Sequence, residues 1–184
     1  MNTLYKNIHQ EIIDQCKNGS QKAQFQLYKL YYKAMFSVCV RIINDDMEAE
    51  DVMQEAFLSA FKKIETYKGE VSFGAWLKKI VINRSLDYLK KRKVKFEEVN
   101  EKTTQISDSQ IETKEIDVQM IKDAIRELPN GYRVVLSLYL IEGYDHDEIS
   151  QILEISNSSS RTQLLRAKNK LRLILKDKEV FSYN

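Results

Sequence analysis

Apolar residues recur every three to four positions along most of the chain, and this period predicts helices. Residues 23–43, 47–64 and 73–91 each follow it, so we expect three helices that share one core. The chain has one proline and five scattered glycines, too few turn residues for a β-sandwich or β-barrel. We therefore predict an all-α protein. In the first helix the expected core stripe comprises Leu27, Leu30, Tyr31, Ala34, Met35, Val38 and Ile42.

The helical period stops near residue 93 and returns at residue 118. Residues 93–117 include seven acidic residues, four lysines and few large apolar residues, which is the composition of a flexible linker. The pattern therefore predicts two small helical domains, over 16–93 and 118–178, joined by an acidic linker over 94–117. An N-terminal extension over 1–15 and a tail over 179–184 complete the predicted organisation; the extension is either a docking helix or a frayed end.

Turn signals in the second domain describe a helix-turn-helix. Pro129 suits the first position of a helix, and Gly143 suits the residue after a helix end, where φ is often positive. Asp145 and Glu148 have the spacing of a capping box, which predicts a short helix directly after them. Ser156 is a plausible N-cap for the final helix. A short helix, a tight turn and a basic helix are typical of duplex DNA binding.

The net charge of +2 conceals three local clusters of charge. Residues 157–176 carry six basic residues and no acid, and residues 76–95 carry eight basic residues and one acid, interleaved with aromatic residues. Cations beside aromatic rings suit phosphates and unpaired bases. Residues 45–61 carry six acids and no Lys or Arg, which indicates a protein partner that offers basic side chains.

Each cluster also has a purely structural explanation. The basic final helix fits a solvated face, and an acid-rich helix start is favoured by the helix macrodipole. Phe73 and Trp76 lie on the predicted core stripe, so packing accounts for them as well. We expect Tyr67, in the loop before that helix, to be freer.

Motifs for catalysis, cofactors or metals are missing from the sequence. The glycines form no phosphate-binding loop, and His9 and His146 lack metal-ligand spacing. Cys16 and Cys39 form no C-x-x-C pair, so we expect two packed thiols in a reducing compartment. The chain has no secretory signal and no apolar run of membrane-spanning length. We therefore expect a cytoplasmic protein that is not an enzyme, has no cofactor and does not insert into a membrane.

Taken together, the motifs of both domains resemble an extracytoplasmic-function (ECF) sigma factor, which retains only regions 2 and 4 of the sigma-70 family. In the first domain the resemblance rests on Glu50-Asp51-Val52-Met53-Gln54-Glu55-Ala56-Phe57, Tyr67-Lys68-Gly69, Phe73-x-x-Trp76-Leu77 and Ile80-x-x-Asn83. In the second domain it rests on Leu128-Pro129-x-x-x-Arg133, Glu142-Gly143, Glu148-Ile149 and Leu164-x-Arg166-Ala167-x-x-Lys170-Leu171.

The resemblance implies three binding surfaces and a role in promoter-specific transcription initiation. The surface for the clamp helices of the largest subunit of core RNA polymerase comprises Asp51, Gln54, Glu55 and Leu58. The surface for the minus-ten promoter element, with a flipped base, comprises Tyr67, Gly69, Glu70, Val71, Ser72, Trp76 and Asn83. The surface for the minus-thirty-five element comprises Ser159, Arg161, Thr162, Leu165, Arg166 and Lys168. The resemblance also implies an anti-sigma factor as a partner.

The helix-turn-helix departs from the family pattern at three positions. Glu154 and Ser158 stand where the family often has glycine, and Ser160 stands where it usually has an apolar residue. We therefore expect the fold to survive with an altered minus-thirty-five preference.

Two other functions fit part of the sequence. A stand-alone helix-turn-helix regulator would bind palindromic duplex DNA as a dimer, but it leaves the acidic helix and the aromatic loop unexplained. An adaptor that sequesters another protein through residues 45–55 predicts no dependence on DNA.

Overall fold

The computed structural model describes residues 7–92 and 117–181, and the predicted linker lies almost entirely outside them. Every regular element in these residues is helical, so the predicted fold class is confirmed. The chain divides into two compact units, Met1–Lys93 and Val94–Asn184.

The described residues of the N-terminal unit form four α-helices. They are α1 (Gln10–Lys17), α2 (Gln21–Ile43), α3 (Asp46–Lys62) and α4 (Phe73–Lys91), with a 3₁₀ turn at Ile64–Thr66. Helices α2, α3 and α4 pack against one another, and α1 packs against α2. Because α1 begins at Gln10, part of the predicted N-terminal extension belongs to this unit.

Short polar side chains start three of these helices. The side chains of Ser20, Asp45 and Ser72 each accept a hydrogen bond from the backbone N–H three residues later, at 3.2, 3.0 and 3.2 Å. Helix α2 ends at Asn44, whose φ of 64° lies in the left-handed region that asparagine tolerates well. The connection from α2 to α3 is therefore very short.

The core of the N-terminal unit is made by the apolar stripes of the three long helices. Leu27, Phe57 and Leu77 are almost completely buried, one from each helix. The expectation that Leu30 and Ala34 belong to this core is wrong, since both are exposed, Leu30 to 49%. The packed stripe of α2 is narrower than the sequence period suggests, and Leu30 lies at its edge.

The two cysteines are buried free thiols, as expected. Burial raises the pKa of Cys39 to about 11, and the neighbouring Ser85 hydroxyl, 3.5 Å from its sulfur, opposes that rise. A thiol with so high a pKa stays protonated and is chemically inert at neutral pH.

The described residues of the C-terminal unit also form four α-helices. They are α5 (Val118–Arg126), α6 (Asn130–Leu136), α7 (His146–Leu153) and α8 (Asn157–Phe181), and α6 runs into a wider π turn at Ser137–Ile141. Helices α5, α6 and α7 all pack against α8. Helix α8 continues into the segment predicted as a tail.

The predicted turn chemistry of this unit is largely confirmed. Asp145 and Glu148 form a capping box, with bonds of 2.8 and 2.9 Å, and Gly143 has a φ of 80°. The Ser156 hydroxyl accepts from the Ser159 N–H at 3.0 Å and so begins α8. Pro129 is the N-cap of α6 rather than its first residue, since its ψ of 146° is extended and not helical.

Arg133 of α6 holds the connection between α5 and α6 from inside the unit. Its guanidinium is buried and donates to the Leu128 carbonyl at 3.0 Å and to Asn130 Oδ1 at 2.6 Å. Burial lowers the pKa of Arg133 to about 10, with a further contribution from the positive charge of Arg126. The group is still charged at neutral pH, and its hydrogen bonds offset the cost of removing it from water.

The two leucines of α2 give a direct test of the core. Leu27→Ala is expected to lower the free energy of unfolding of the N-terminal unit by about 2–5 kcal/mol, because it leaves a cavity in a fully packed site. Urea unfolding followed through the fluorescence of Trp76, the chain's one tryptophan, reports on this unit.

Leu30→Ala is the matched control, with the same side chain on the same helix. Since Leu30 is half exposed, its removal is expected to change the free energy of unfolding by no more than about 0.5 kcal/mol. Equal losses of stability in the two variants would contradict the described core.

Candidate nucleic-acid and protein interfaces

The acidic residues predicted to bind a partner share one exposed face of α3. Asp51, Gln54, Glu55 and Leu58 follow the i, i+3, i+4, i+7 spacing of a helix face, and all are exposed, Leu58 to 61%. Met47, four residues before Asp51, is 82% exposed and extends the same face. The face therefore combines carboxylates with an apolar residue at each end, which suits a protein surface bearing Arg or Lys.

The acidic residues of α3 fall into two groups, those at the start of the helix and those beyond its first turn. Asp45 caps the helix, and Asp46 and Glu48 lie in its first turn, where the macrodipole favours negative charge. Asp51 and Glu55 lie beyond that turn, where the effect has faded. The macrodipole therefore leaves Asp51 and Glu55 unexplained.

The exposed face of α4 carries the basic and base-stacking candidates. Trp76, Lys79 and Asn83 are spaced i, i+3, i+7 and lie on one face; Trp76 is partly exposed, and the other two are exposed. Sequence reasoning missed Lys79 as a member of this face, although its spacing from Trp76 was visible. The arrangement places a cation between an indole and an amide.

Tyr67 does not take the free position expected for it. Only 3% of it is exposed, and its ring packs against Phe73 and Trp76, with 5.4 Å between centroids in each case. Its hydroxyl donates to the Val71 carbonyl at 2.6 Å. Tyr67 is therefore a buried residue that packs the loop against α4, because the rings of Phe73 and Trp76 cover it.

The tip of the 67–72 loop is the part that faces outward. Lys68, Glu70 and Val71 are exposed, Val71 to 49%, and Gly69 adopts a φ of 75° that a residue with a side chain rarely takes. Ser72 ends the loop as the N-cap of α4. The loop thus presents its tip to solvent while both of its ends are anchored.

Asn7 and Lys17, which lie far earlier in the chain, anchor the 67–72 loop. Asn7 Nδ2 donates to the Tyr67 hydroxyl at 2.6 Å, and Asn7 Oδ1 accepts from the Phe73 N–H at 2.9 Å. Lys17 Nζ donates to the Tyr67 carbonyl at 2.9 Å. No local pattern predicts these pairs, since Asn7 and Tyr67 are 60 residues apart in the chain.

The candidates for the minus-thirty-five element lie along one side of α8. Arg161 is exposed, Leu165 is 57% exposed, and the remaining four are partly exposed; they are Ser159, Thr162, Arg166 and Lys168. The opposite side of the helix is buried through Ser160, Gln163, Leu164 and Ala167. The first three turns of α8 therefore present a largely polar, basic face to solvent.

A chain of hydrogen bonds orients Arg161. Its Nε donates to Asn157 Oδ1 at 2.7 Å, and Asn157 Nδ2 donates to Asp147 Oδ1 of α7 at 2.6 Å. Asn157 and Asp147 were not predicted as functional residues, because their roles depend on how α7 meets α8. These two bonds connect Arg161, through its Nε, to the start of α7.

Ser160, at which the resemblance implies a departure from the family pattern, is fully buried and pairs with His146. Its hydroxyl lies 2.9 Å from His146 Nδ1, and the imidazole stacks on Tyr139 with 4.6 Å between centroids. Partial burial lowers the pKa of His146, and the positive charges of Arg161 and Lys168 lower it further. The imidazole of His146 thus joins the start of α7 to α8.

Metal and membrane chemistry find no support in the described part of the chain. Residues 7–92 and 117–181 contain no group of three or more His, Cys, Asp or Glu side chains placed to hold a metal ion. None of the helices in these residues combines the length and the apolar content of a membrane span.

Comparison with known proteins gives two family matches and several similar full-length chains. The family models for sigma-70 region 2 and sigma-70 region 4 match residues 27–94 and 118–171. ECF RNA polymerase sigma factor SigW of Bacillus subtilis is 28% identical, with 90% of this chain and 95% of SigW covered. RNA polymerase sigma-H factor of Pseudomonas aeruginosa is 25% identical, with 86% of this chain and 89% of that protein covered.

Solved structures share the fold. The sigma factor RpoE from Bartonella quintana, solved with the anti-sigma factor NepR, has a TM-score of 0.56 at 22% identity, covering 82% of this chain and 95% of RpoE. CnrH, solved with the cytosolic domain of CnrY, has a TM-score of 0.53 at 21% identity, covering 90% of this chain and 96% of CnrH. The two matched regions account for more than half of the chain, which therefore belongs to the sigma-70 family and is an ECF sigma factor.

Proposed function

We propose that the protein binds core RNA polymerase through α3, the minus-ten element through α4 and its preceding loop, and the minus-thirty-five element through α8. The observation that carries the proposal is that acidic and basic faces lie on different helices, each exposed to solvent. Such a protein is a regulatory factor rather than an enzyme, and it acts in the cytoplasm with the polymerase.

The acidic face of α3 fits the clamp helices of the largest polymerase subunit. Asp51 and Glu55 would pair with basic side chains there, and Gln54 and Leu58 would add polar and apolar contacts. Paired charges orient the two proteins and raise the rate of encounter, and the exposed apolar ends supply contact area. Met47, which extends the face, joins the proposed contact set.

The tip of the 67–72 loop and the exposed face of α4 fit a melted minus-ten element. Gly69, Glu70, Val71 and Ser72 would surround a flipped base, while Trp76 and Asn83 would contact its neighbours. Flipping costs a few kcal/mol, which stacking and a base-edge pocket offset. Because Tyr67 is buried, we propose that it supports the loop and does not stack on a base.

The start of α8 fits the major groove at the minus-thirty-five element. Arg161, Thr162, Leu165 and Arg166 would face base edges, and Ser159 and Lys168 would lie nearer the phosphates. The bond from Arg161 to Asn157 supports this assignment, because an oriented guanidinium loses less freedom on binding a guanine.

Each proposed DNA surface is confined to one helix, or to one helix and the loop before it, so we propose that both act together. Two weak surfaces joined in one complex bind tightly when their spacing matches the two promoter elements. We propose that core polymerase provides that spacing, which is why the free protein is expected to bind promoter DNA poorly.

An anti-sigma factor is a further proposed partner. The similar RpoE structure contains one, NepR, and this chain shares its fold. Such a partner would keep the protein inactive by covering one or more of the three surfaces.

Runoff transcription tests the whole proposal. Purified bacterial core polymerase is supplied with genomic fragments from the source of this protein, with and without the protein. New discrete transcripts are expected only with it, and their start sites identify both promoter elements. Tight binding to a palindromic duplex by the free protein, without transcripts, would favour a stand-alone regulator.

Charge reversal tests the α3 face. Asp51→Lys with Glu55→Lys is expected to weaken binding to core polymerase by about 100-fold or more, because attraction becomes repulsion at a charged interface. The fold should remain, since both side chains are exposed. Binding is measured by competition with a labelled sigma factor, and folding by circular dichroism.

Glu11→Lys with Glu65→Lys is the matched control. These two exposed carboxylates lie in the same unit but outside α3, and the same charge change there is expected to leave core binding intact. Normal core binding by the α3 variant would exclude this face.

Arginine removal tests the α8 face. Arg161→Ala with Arg166→Ala is expected to weaken promoter binding by holoenzyme by about 1–3 kcal/mol for each arginine that reads a base. The weakening should be confined to promoters with an intact minus-thirty-five element. An adaptor that ignores DNA predicts no change in function.

Arg172→Ala provides the comparison on the same helix. Arg172 is exposed about three turns beyond Arg161, so its removal is expected to leave the preference for the minus-thirty-five sequence unchanged. The same loss of preference in both variants would argue against base reading by Arg161.

A further inference from the structure

We propose that residues 7–17 position the 67–72 loop for promoter opening, with Asn7 and Lys17 as the positioning residues. This inference rests on the proposed function, because it takes the loop as the site that meets melted DNA. The region 2 match begins at residue 27, so neither residue belongs to the matched segment.

Asn7 satisfies polar groups on both sides of the loop. It is 8% exposed, and it links the hydroxyl of Tyr67 to the backbone N–H of Phe73, the first residue of α4. That N–H has no partner within its own helix, because the first N–H groups of a helix lack a preceding carbonyl. Asn7 therefore joins the residue that begins the loop to the helix that follows it.

Lys17 holds the loop at a separate point. Its ammonium donates to the Tyr67 carbonyl at 2.9 Å and lies 5.7 Å from the centroid of the Tyr67 ring. Tyr67 is thus bound through its backbone by α1 and through its hydroxyl by both Asn7 and Val71. The start of the loop is thus held by three hydrogen bonds to two atoms of Tyr67, while the tip of the loop stays exposed.

This anchoring matters because a loop that captures a base must adopt one shape. Ordering a mobile loop on binding costs free energy, and a loop already held in shape avoids that cost. Loss of the Asn7 amide leaves the buried Tyr67 hydroxyl and the Phe73 N–H each without this partner. The loop would relax to satisfy them, and the exposed tip would move with it.

The test uses holoenzyme assembled from core polymerase and the full chain. The probe is a fluorescent single-stranded oligonucleotide that carries the minus-ten sequence mapped from runoff transcripts, together with one that has a single base changed. Asn7→Ala is expected to bind the matching oligonucleotide about tenfold more weakly than wild type, with reduced discrimination between the two. Lys17→Met is expected to bind it about threefold more weakly.

Matched variants separate positioning from stability. Asn7→Asp keeps the acceptor for the Phe73 N–H and loses the donor to Tyr67. Its affinity for the matching oligonucleotide is therefore expected to lie between those of wild type and Asn7→Ala. Gln15→Ala, an exposed position on α1, is expected to bind and discriminate as wild type does. Every variant should bind core RNA polymerase with the same affinity as wild type.

The outcomes are distinct. A folded Asn7→Ala variant with wild-type binding and discrimination would overturn the inference, even if its melting temperature falls, because only a structural role would remain. If that variant fails to fold, Asn7→Asp and Lys17→Met decide in the same way. Failure of wild-type holoenzyme to bind the matching oligonucleotide would instead overturn the proposed function, and the inference with it.

Discussion

Four parts of the N-terminal unit meet at Phe73. Its buried ring packs against Tyr31 of α2, Tyr67 of the loop and Trp76 of α4, with centroids 5.4 to 5.5 Å apart. Its backbone N–H donates to Asn7, ahead of α1. Gly74 allows this packing, because a Cβ there would lie 3.1 Å from Tyr31 Cε1. In so closely packed a cluster, the loop and the exposed face of α4 cannot shift independently.

The C-terminal unit depends on polar links across a sharp turn. Helix α7 ends at Glu154, whose φ of 57° lies in the left-handed region and costs about 1 kcal/mol that glycine would avoid. Two hydrogen-bonded pairs span the turn, His146 with Ser160 and Asp147 with Asn157. They tie the start of α7 to the start of α8, so the exposed side of α8 keeps one orientation relative to α7. Ser160, which departs from the expected pattern, therefore helps to hold the turn between α7 and α8.

Charge is sorted by helix in this protein. Phosphates attract basic groups and repel acidic ones, so the charges support the proposal that α4 and α8 meet DNA while α3 meets a protein. The net charge of the chain conceals this arrangement, because the acidic and basic clusters nearly cancel. A small factor that must hold both a protein and DNA gains from such sorting, since neither partner competes for the other's surface.

The spacing of residues in the sequence was enough to predict the helices, the capping box at Asp145 and the composition of each exposed face. These features depend only on residues three or four positions apart, because such residues are neighbours in a helix. The same reasoning placed Leu30 in the core and left Tyr67 free, and both expectations failed. Burial depends on which elements pack together, and the partner of Tyr67 lies 60 residues earlier in the chain. The anchoring of the loop by Asn7, and of Asn157 by Asp147 of α7, became visible only once the helices were folded against each other, because each of these hydrogen bonds joins two different elements and is not encoded in the spacing within one helix.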